Sequence, residues 1–230
     1  MMVSLAGVRA VRGDWSLSAQ GTFGKGIHLV SGDVGSGKST LALLLAGLLP
    51  MAAGAVNREG ITSAMIAFQF PEFHVTGPDL ECECRSWGID PAPLLAFLGL
   101  TEKKRINPLD LSRGELKRLI LACVLAKDHD LLILDEPFSS LDCTEKERLC
   151  AALSKRKTGI TIIFTHERAH FPRVDYIWEI HEGILYNRGP LPSAFDQWVH
   201  APAIVKNLIA RGRIPKNISQ ADLLEAACRT

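Results

Sequence analysis

The stretch Gly32-Asp33-Val34-Gly35-Ser36-Gly37-Lys38-Ser39 constrains this chain more than any other, because it joins two segments of different character. Ile27 to Ser31 before it is a short apolar run that reads as a strand, and Thr40 to Leu49 after it reads as a helix. A strand that turns through glycines straight into a helix gathers free backbone N–H groups and the positive end of a helix dipole at one point. That is a cradle for phosphate. Gly32, Val34, Gly35, Ser36, Gly37 and Thr40 are expected around the phosphates, Lys38 reaches the terminal ones, and Ser39 offers its hydroxyl to Mg²⁺. A ligand-free turn between strand and helix is the bland alternative.

Two more apolar runs, Leu131 to Leu134 and Ile160 to Thr165, lack polar alternation, the pattern of strands buried on both faces of a parallel sheet. Such sheets bind ligands at the carboxyl ends of their strands, where Gly32, Asp135 and His166 fall. Upstream, Val3 to Val11 and Trp15 to Ala19 predict a hairpin turning near Gly13-Asp14, and Met65 to Phe68 predicts another strand. Between Phe73 and Leu109 stand Pro78, Pro91, Pro93 and Pro108, with one convincing helix, Pro91 to Leu98, capped by Asp90. This region, about 73–110, reads as an inserted helical subdomain. After Gly189-Pro190-Leu191-Pro192 the chain is expected to leave the core. Helices Ala203 to Ala210 and Ala221 to Cys228 follow, the second capped by Ser219.

Asp135-Glu136 ends an apolar strand, where two ionised acids are costly unless a cation uses them. A Mg²⁺ held by Ser39 and Asp135 would be that cation, leaving Glu136 to orient or deprotonate an attacking water. Leu111-Ser112-Arg113-Gly114-Glu115 has two competing readings. Ser-x-x-Glu before apolar positions at helical spacing (Leu116, Leu119, Ile120, Cys123, Val124) is a capping box. A Ser-x-Gly turn opening a helix is also a second phosphate-binding element, which would serve a neighbouring copy.

With 26 Lys+Arg against 25 Asp+Glu the net charge is +1, so the basic field of a nucleic-acid binder is missing and no such partner is expected. The six cysteines are expected as reduced thiols in the cytosol, since the opening residues show no basic n-region. Cys82-Glu83-Cys84 lacks a second pair at zinc spacing. The longest uncharged stretch, Ser39 to Asn57, is broken by Gly47, Pro50 and Gly54, so no membrane span is expected.

The assembled order resembles the nucleotide-binding domain of ABC ATPases from roughly Val3 to Gly189: Walker A at Gly32 to Ser39, the Q-loop Gln69, the signature at Leu111 to Glu115, Walker B ending at Asp135, then Glu136, the D-loop Ser139 to Asp142, and the switch His166. The resemblance implies an α/β P-loop NTPase fold with a mainly parallel central sheet, an N-terminal antiparallel β-subdomain, a short helical subdomain and a helical C-terminal tail. It implies an ATPase domain over 1–189 and an extension over 190–230. Two such domains would pair head to tail, each ATP lying between Walker A of one and Ser112 and Gly114 of the other. Glu136, His166 and Gln69 would be catalytic, with Gln69 also touching Mg²⁺ beside Ser39 and Asp135. Asp142 would join the nucleotide interface, or simply cap the helix that begins near Thr144.

Phe68-Gln69-Phe70-Pro71-Glu72 and the Leu-Ser-Arg-Gly-Glu signature are similar to ATPase subunits of energy-coupling factor (ECF) transporters, which drive vitamin and transition-metal uptake. Pro202 to Gly212 is similar to their C-terminal helices, which help pair two ATPases. That implies a second ATPase subunit, identical or paralogous, a transmembrane partner, and a peripheral place on the cytoplasmic face of the membrane. Gln69 and Ser112 stand 43 positions apart, fewer than the family generally shows, so the helical subdomain is trimmed. No aromatic residue follows the first strand directly, leaving Arg12 or Trp15 to stack on adenine. Arg113 replaces the signature's middle glycine. A mechanical-switch ABC ATPase of DNA repair or translation is the rival reading; a small-molecule P-loop kinase would leave Ser112, Asp142 and His166 without roles.

Overall fold

The computed structural model describes residues 1–228. Nine strands make one sheet: β1 (Met2–Arg12), β2 (Trp15–Phe23), β3 (Gly26–Ser31), β4 (Ala53–Glu59), β5 (Ala64–Ala67), β6 (Leu131–Asp135), β7 (Ile160–Phe164), β8 (Tyr176–His181) and β9 (Ile184–Pro190). Their order is β4-β1-β2-β9-β8-β3-β7-β6-β5. The half from β8 through β5 is parallel at every pairing, and β4, β1 and β2 pair antiparallel. The fold is thus α/β with the expected N-terminal antiparallel section.

The apolar runs are continuous because both faces of the parallel half are covered. Leu132 and Leu134 of β6 face a core shared with α4 (Arg113–Leu125), while Leu131 and Ile133 face the other, shared with α1 (Lys38–Ala46), β1 and β2. Every residue of β6 and β7 is buried. At roughly 1.5–3 kcal/mol for each large apolar side chain removed from water, these two strands are the main hydrophobic anchor of the sheet. The parallel register then places Asp135 beside Phe164 and brings the ends of β3, β6 and β7 to one edge.

Local chemistry sets the boundaries. α1 begins at Lys38, before the expected Thr40, and stops at Gly47 rather than Leu49; this glycine takes the left-handed conformation, φ 77°, and its N–H bonds back to the last turn. β2 runs on past Ala19 to Phe23, because Phe23 packs on Trp178 with ring centroids 4.3 Å apart. β5 ends at Ala67, before the expected Phe68. α3 (Pro91–Leu98) carries its Asp90 cap, the side chain accepting from Ala92 N at 3.1 Å.

Two expectations are corrected. The 73–110 region holds a second helix, α2 (Leu80–Ser86), capped by Asp79. It buries Leu80, Cys84 and the Glu83 carboxylate, which accepts hydrogen bonds from Thr76 N, Gly77 N and Trp87 Nε1. The tail does not leave the core after Pro192 either. Ala194, Phe195, Trp198, Val205, Leu208, Ile218, Leu223 and Ala226 share the core of Leu29 and Ile163, so α6 (Ala203–Ala210) and α7 (Gln220–Cys228) lie packed on it. All six cysteines are free. Among the described residues no helix is long and apolar enough to cross a membrane.

Candidate nucleotide site

The loop 32–39 leaves β3 and enters α1 at a cavity of about 360 Å³. Its walls bring Val34, Gly35, Gly37, Lys38, Ser39 and Thr40 together with Gln69, Glu136 and His166 from three other strand ends. Arg12 and Trp15 complete it. Trp15 lies so close to Gly37 that a Cβ there would meet its ring at 2.6 Å, and Gly37 also holds a left-handed φ of 108°, so only glycine fits. Gly32 and Ser36 shape the base of the loop, where the Ser36 hydroxyl is buried without a partner.

Lys38 is 6% exposed and curls back over its own loop, donating to the carbonyls of Gly32 at 2.8 Å and Asp33 at 2.9 Å. Burial pulls its ammonium below the usual lysine range, against the opposing pull of Glu136, Asp135 and Asp33. Asp135 is the complementary group. It is 5% exposed, its Oδ1 is buried without any hydrogen bond, and burial pushes its carboxyl up, the hydroxyl of Ser39 opposing. A buried, unpartnered carboxylate oxygen next to a serine hydroxyl suits a hard divalent cation, so these residues fit Mg²⁺. Among the described residues no cluster of three or more His, Cys, Asp or Glu offers another metal site.

Glu136 stands just past β6 with a left-handed φ of 48°. Its carboxylate is fixed by His166 Nδ1 at 2.7 Å, the Thr165 hydroxyl at 3.1 Å and His166 N at 3.3 Å, with Lys38 Nζ at 3.8 Å. One carboxylate therefore ties the residue at the end of β7 to the loop at the end of β3.

Ser112, Gly114 and Asp142 lie elsewhere. Ser112 is the N-cap of α4 in a complete capping box: its hydroxyl accepts from Glu115 N at 3.3 Å, and its own N–H donates to Glu115 Oε2 at 3.1 Å. Lys103 Nζ holds Glu115 at 2.6 Å and pulls its carboxyl down to about 2. Gly114 lets the Ser139 to Asp142 turn come close, since a Cβ there would stand 2.9 Å from the Ser140 carbonyl. Asp142 caps α5 (Cys143–Ser154), accepting from Glu145 N at 2.8 Å. None of the three lines the cavity of their own chain.

Sequence reasoning missed Lys117. On α4 it is 2% exposed and donates to the carbonyls of Phe68 at 3.1 Å and Gln69 at 3.0 Å, while Phe68 N donates to His74 Nε2 at 3.0 Å. The backbone on either side of the Gln69 side chain is thereby pinned to the signature helix. Burial lowers Lys117 to about 8. A lysine inside an apolar helical stripe was the available signal; its partners, 48 and 49 residues away, were not readable.

Residues 22–139 match the family model of the ABC transporter. The chain belongs to the ABC transporter family. It binds ATP, and it is an ATPase. It is 30% identical to the energy-coupling factor transporter ATP-binding protein EcfA2 of Thermotoga maritima, across 88% of this chain and 86% of that one. It is 32% identical to EcfA1 of the same organism, across 69% of each. A third relative is the aliphatic sulfonates import ATP-binding protein SsuB 2 of Frankia alni, 37% identical over 59% of this chain and 58% of its own length. The crystal structure of a protein described as a cobalt transport ATP-binding protein has the same fold, with a TM-score of 0.66 at 22% identity, covering 84% of this chain and 80% of that one.

Proposed function

We propose that this ATPase pairs head to tail around two Mg-ATP and powers an ECF-type importer of a micronutrient, a vitamin or metal ion, from the cytoplasmic face of the membrane. One observation carries the pairing. Gln69, Glu136 and His166 converge with the phosphate loop in one cavity, while Ser112, Gly114 and Asp142 stay outside it. A second chain, identical or paralogous, would supply them.

In this reading the loop backbone from Gly32 to Thr40 and Lys38 hold the phosphates, with Arg12 or Trp15 against the base. Ser39, Asp135 and Gln69 would hold Mg²⁺, which supplies charge neutralisation at the phosphates when bound. Glu136 takes a proton from the attacking water at its carboxylate; the three hydrogen bonds it accepts fix its direction beforehand. His166, bonded to Glu136, faces the γ-phosphate. Ser112 and Gly114 meet the γ-phosphate of the partner's ATP. Residues 1–189 form the ATPase domain, about 73–110 its trimmed helical subdomain facing the membrane partner, and 190–230 an extension that contributes to pairing. The names of the EcfA relatives support the ECF reading.

The test is Glu136→Gln. It is expected to bind ATP, stop turning over and accumulate as a dimer. A variant that stays monomeric with Mg-ATP, or hydrolyses normally, contradicts the proposal. Co-purification of the native protein from membranes with a hydrophobic subunit is the expected companion result, and bound nucleic acid would oppose it.

A further inference from the structure

We propose that His200, carried by the C-terminal tail, is a positioning residue of the nucleotide site, masking the carboxylate of Asp33 so that the phosphate loop accepts a polyanion. The inference rests on the reading of that loop as the ATP phosphate site. Asp33 is an acid inside a loop whose task is to hold several negative charges. That is a local conflict unless something answers it.

The answer comes from 167 residues away, where His200 Nε2 lies 3.2 Å from Asp33 Oδ2. The ring is not free to swing. Its Nδ1 is hydrogen-bonded to Glu179 Oε1, and its backbone N–H donates to the same oxygen at 2.6 Å. Glu179 is fully buried and takes Arg188 on its other oxygen, Nε at 2.8 Å and Nη2 at 2.7 Å. Two residues earlier, Trp198 Nε1 donates to Ser31 Oγ at 2.8 Å, fastening the same segment to the last residue of β3, next to Gly32. Arg188, Glu179, His200 and Asp33 therefore form a row of paired polar groups that starts in β9 and ends on the phosphate loop.

Carboxylates only accept hydrogen bonds, so the ring, set between Glu179 and Asp33, serves them as a donor. Held there, it turns the Asp33 charge toward the tail and partly cancels it. What is left of that charge acts on Lys38, whose ammonium feels Asp33, and it grows if the ring is removed. The Asp33 side chain is 68% exposed, so solvent screens the pair and the expected effect is modest. The tail thus belongs functionally to the nucleotide site.

The experiment is a titration of the full chain with a fluorescent ATP analogue, for wild type, His200→Ala, Asp33→Asn and the double variant. His200→Ala is expected to bind about fivefold more weakly, an effect that fades at high salt. The double variant is expected to bind as Asp33→Asn does, because no charge is left to mask. If the double variant binds as weakly as His200→Ala, or if His200→Ala binds like wild type, the proposal is overturned. Where His200→Ala unfolds, His200→Gln keeps a donor toward Glu179 without the ring that reaches Asp33 and gives the same comparison. A wild type that binds no ATP overturns the nucleotide reading itself.

Discussion

The phosphate loop and the signature turn both place glycine and serine at the start of a helix, yet the structure treats them oppositely. Around the loop the polar groups are buried and incomplete: Asp135 Oδ1 and Ser36 Oγ have no partner, and Lys38 folds back on its own carbonyls. At the signature the polar groups lie nearer the surface and are complete, with Ser112, Glu115 and Lys103 satisfying one another. The loop is left with groups that a ligand can satisfy, whereas the turn is satisfied within its own chain. Under the proposed pairing, that difference is what a site shared between two copies requires, because each half must fold before the pair forms.

The largest expected break in this comparison is at the incomplete half. Glu136→Gln removes the proposed base at nearly unchanged side-chain size, so phosphate release should fall about 10²–10⁴-fold, while Ser112→Ala should leave a protein that still folds. Equal losses in the two would erase the distinction.

Acid separates the halves next. His28, on the strand that carries the loop, donates through Nε2 to the Gly24 carbonyl at 2.8 Å and accepts the Trp178 indole N–H on Nδ1 at 3.1 Å. Burial holds it down to about 4 from an ordinary 6.5. The unfolded chain binds a proton in that window and the folded one does not. Stability is therefore full above about pH 6.5 and falls by roughly 3 kcal/mol towards pH 4. Glu115 is displaced in the same direction but over a more acid window, so its contribution is full above about 4.5 and is lost only as pH falls towards about 2. Thermal unfolding between pH 7 and 4.5 should thus decline in wild type and decline less steeply in His28→Gln, where His74, also held down to about 4 by burial, still contributes; an unchanged slope in that variant would place the sensitivity elsewhere.

Smaller effects belong to the complete half. Ser112→Ala should cost about 1 kcal/mol in denaturant unfolding, the ordinary value of an N-cap. Arg113→Gly should weaken ATP-driven pairing a few-fold if its cation lies beside the partner's γ-phosphate, and unaltered pairing and turnover would make the arginine a lineage mark without that role.

Much of this was readable in the chain because the controlling interactions are local. Glycines, caps and continuous apolar runs located the loop, Asp90, Ser112 and the strands β3, β6 and β7. β4 was not readable, since Ala53–Glu59 is an edge strand with no buried residue. α2 was hidden because, beside Leu80 and Cys84, its third buried residue is an acid, Glu83, held by hydrogen bonds from Thr76 N, Gly77 N and Trp87 Nε1. Lys117, Glu179 and His200 could not be placed, because their partners are fixed by the fold and not by spacing.

The most direct measurement is the mass of Glu136→Gln with Mg-ATP, alone and with Ser112→Asp added, by sedimentation velocity. Aspartate caps a helix about as well as serine, so α4 keeps its start while the turn gains a negative charge. The account predicts a dimer for the single variant, and a monomer that still binds ATP for the double. A double variant that pairs as tightly as Glu136→Gln would show that Ser112 meets no phosphate on a second chain.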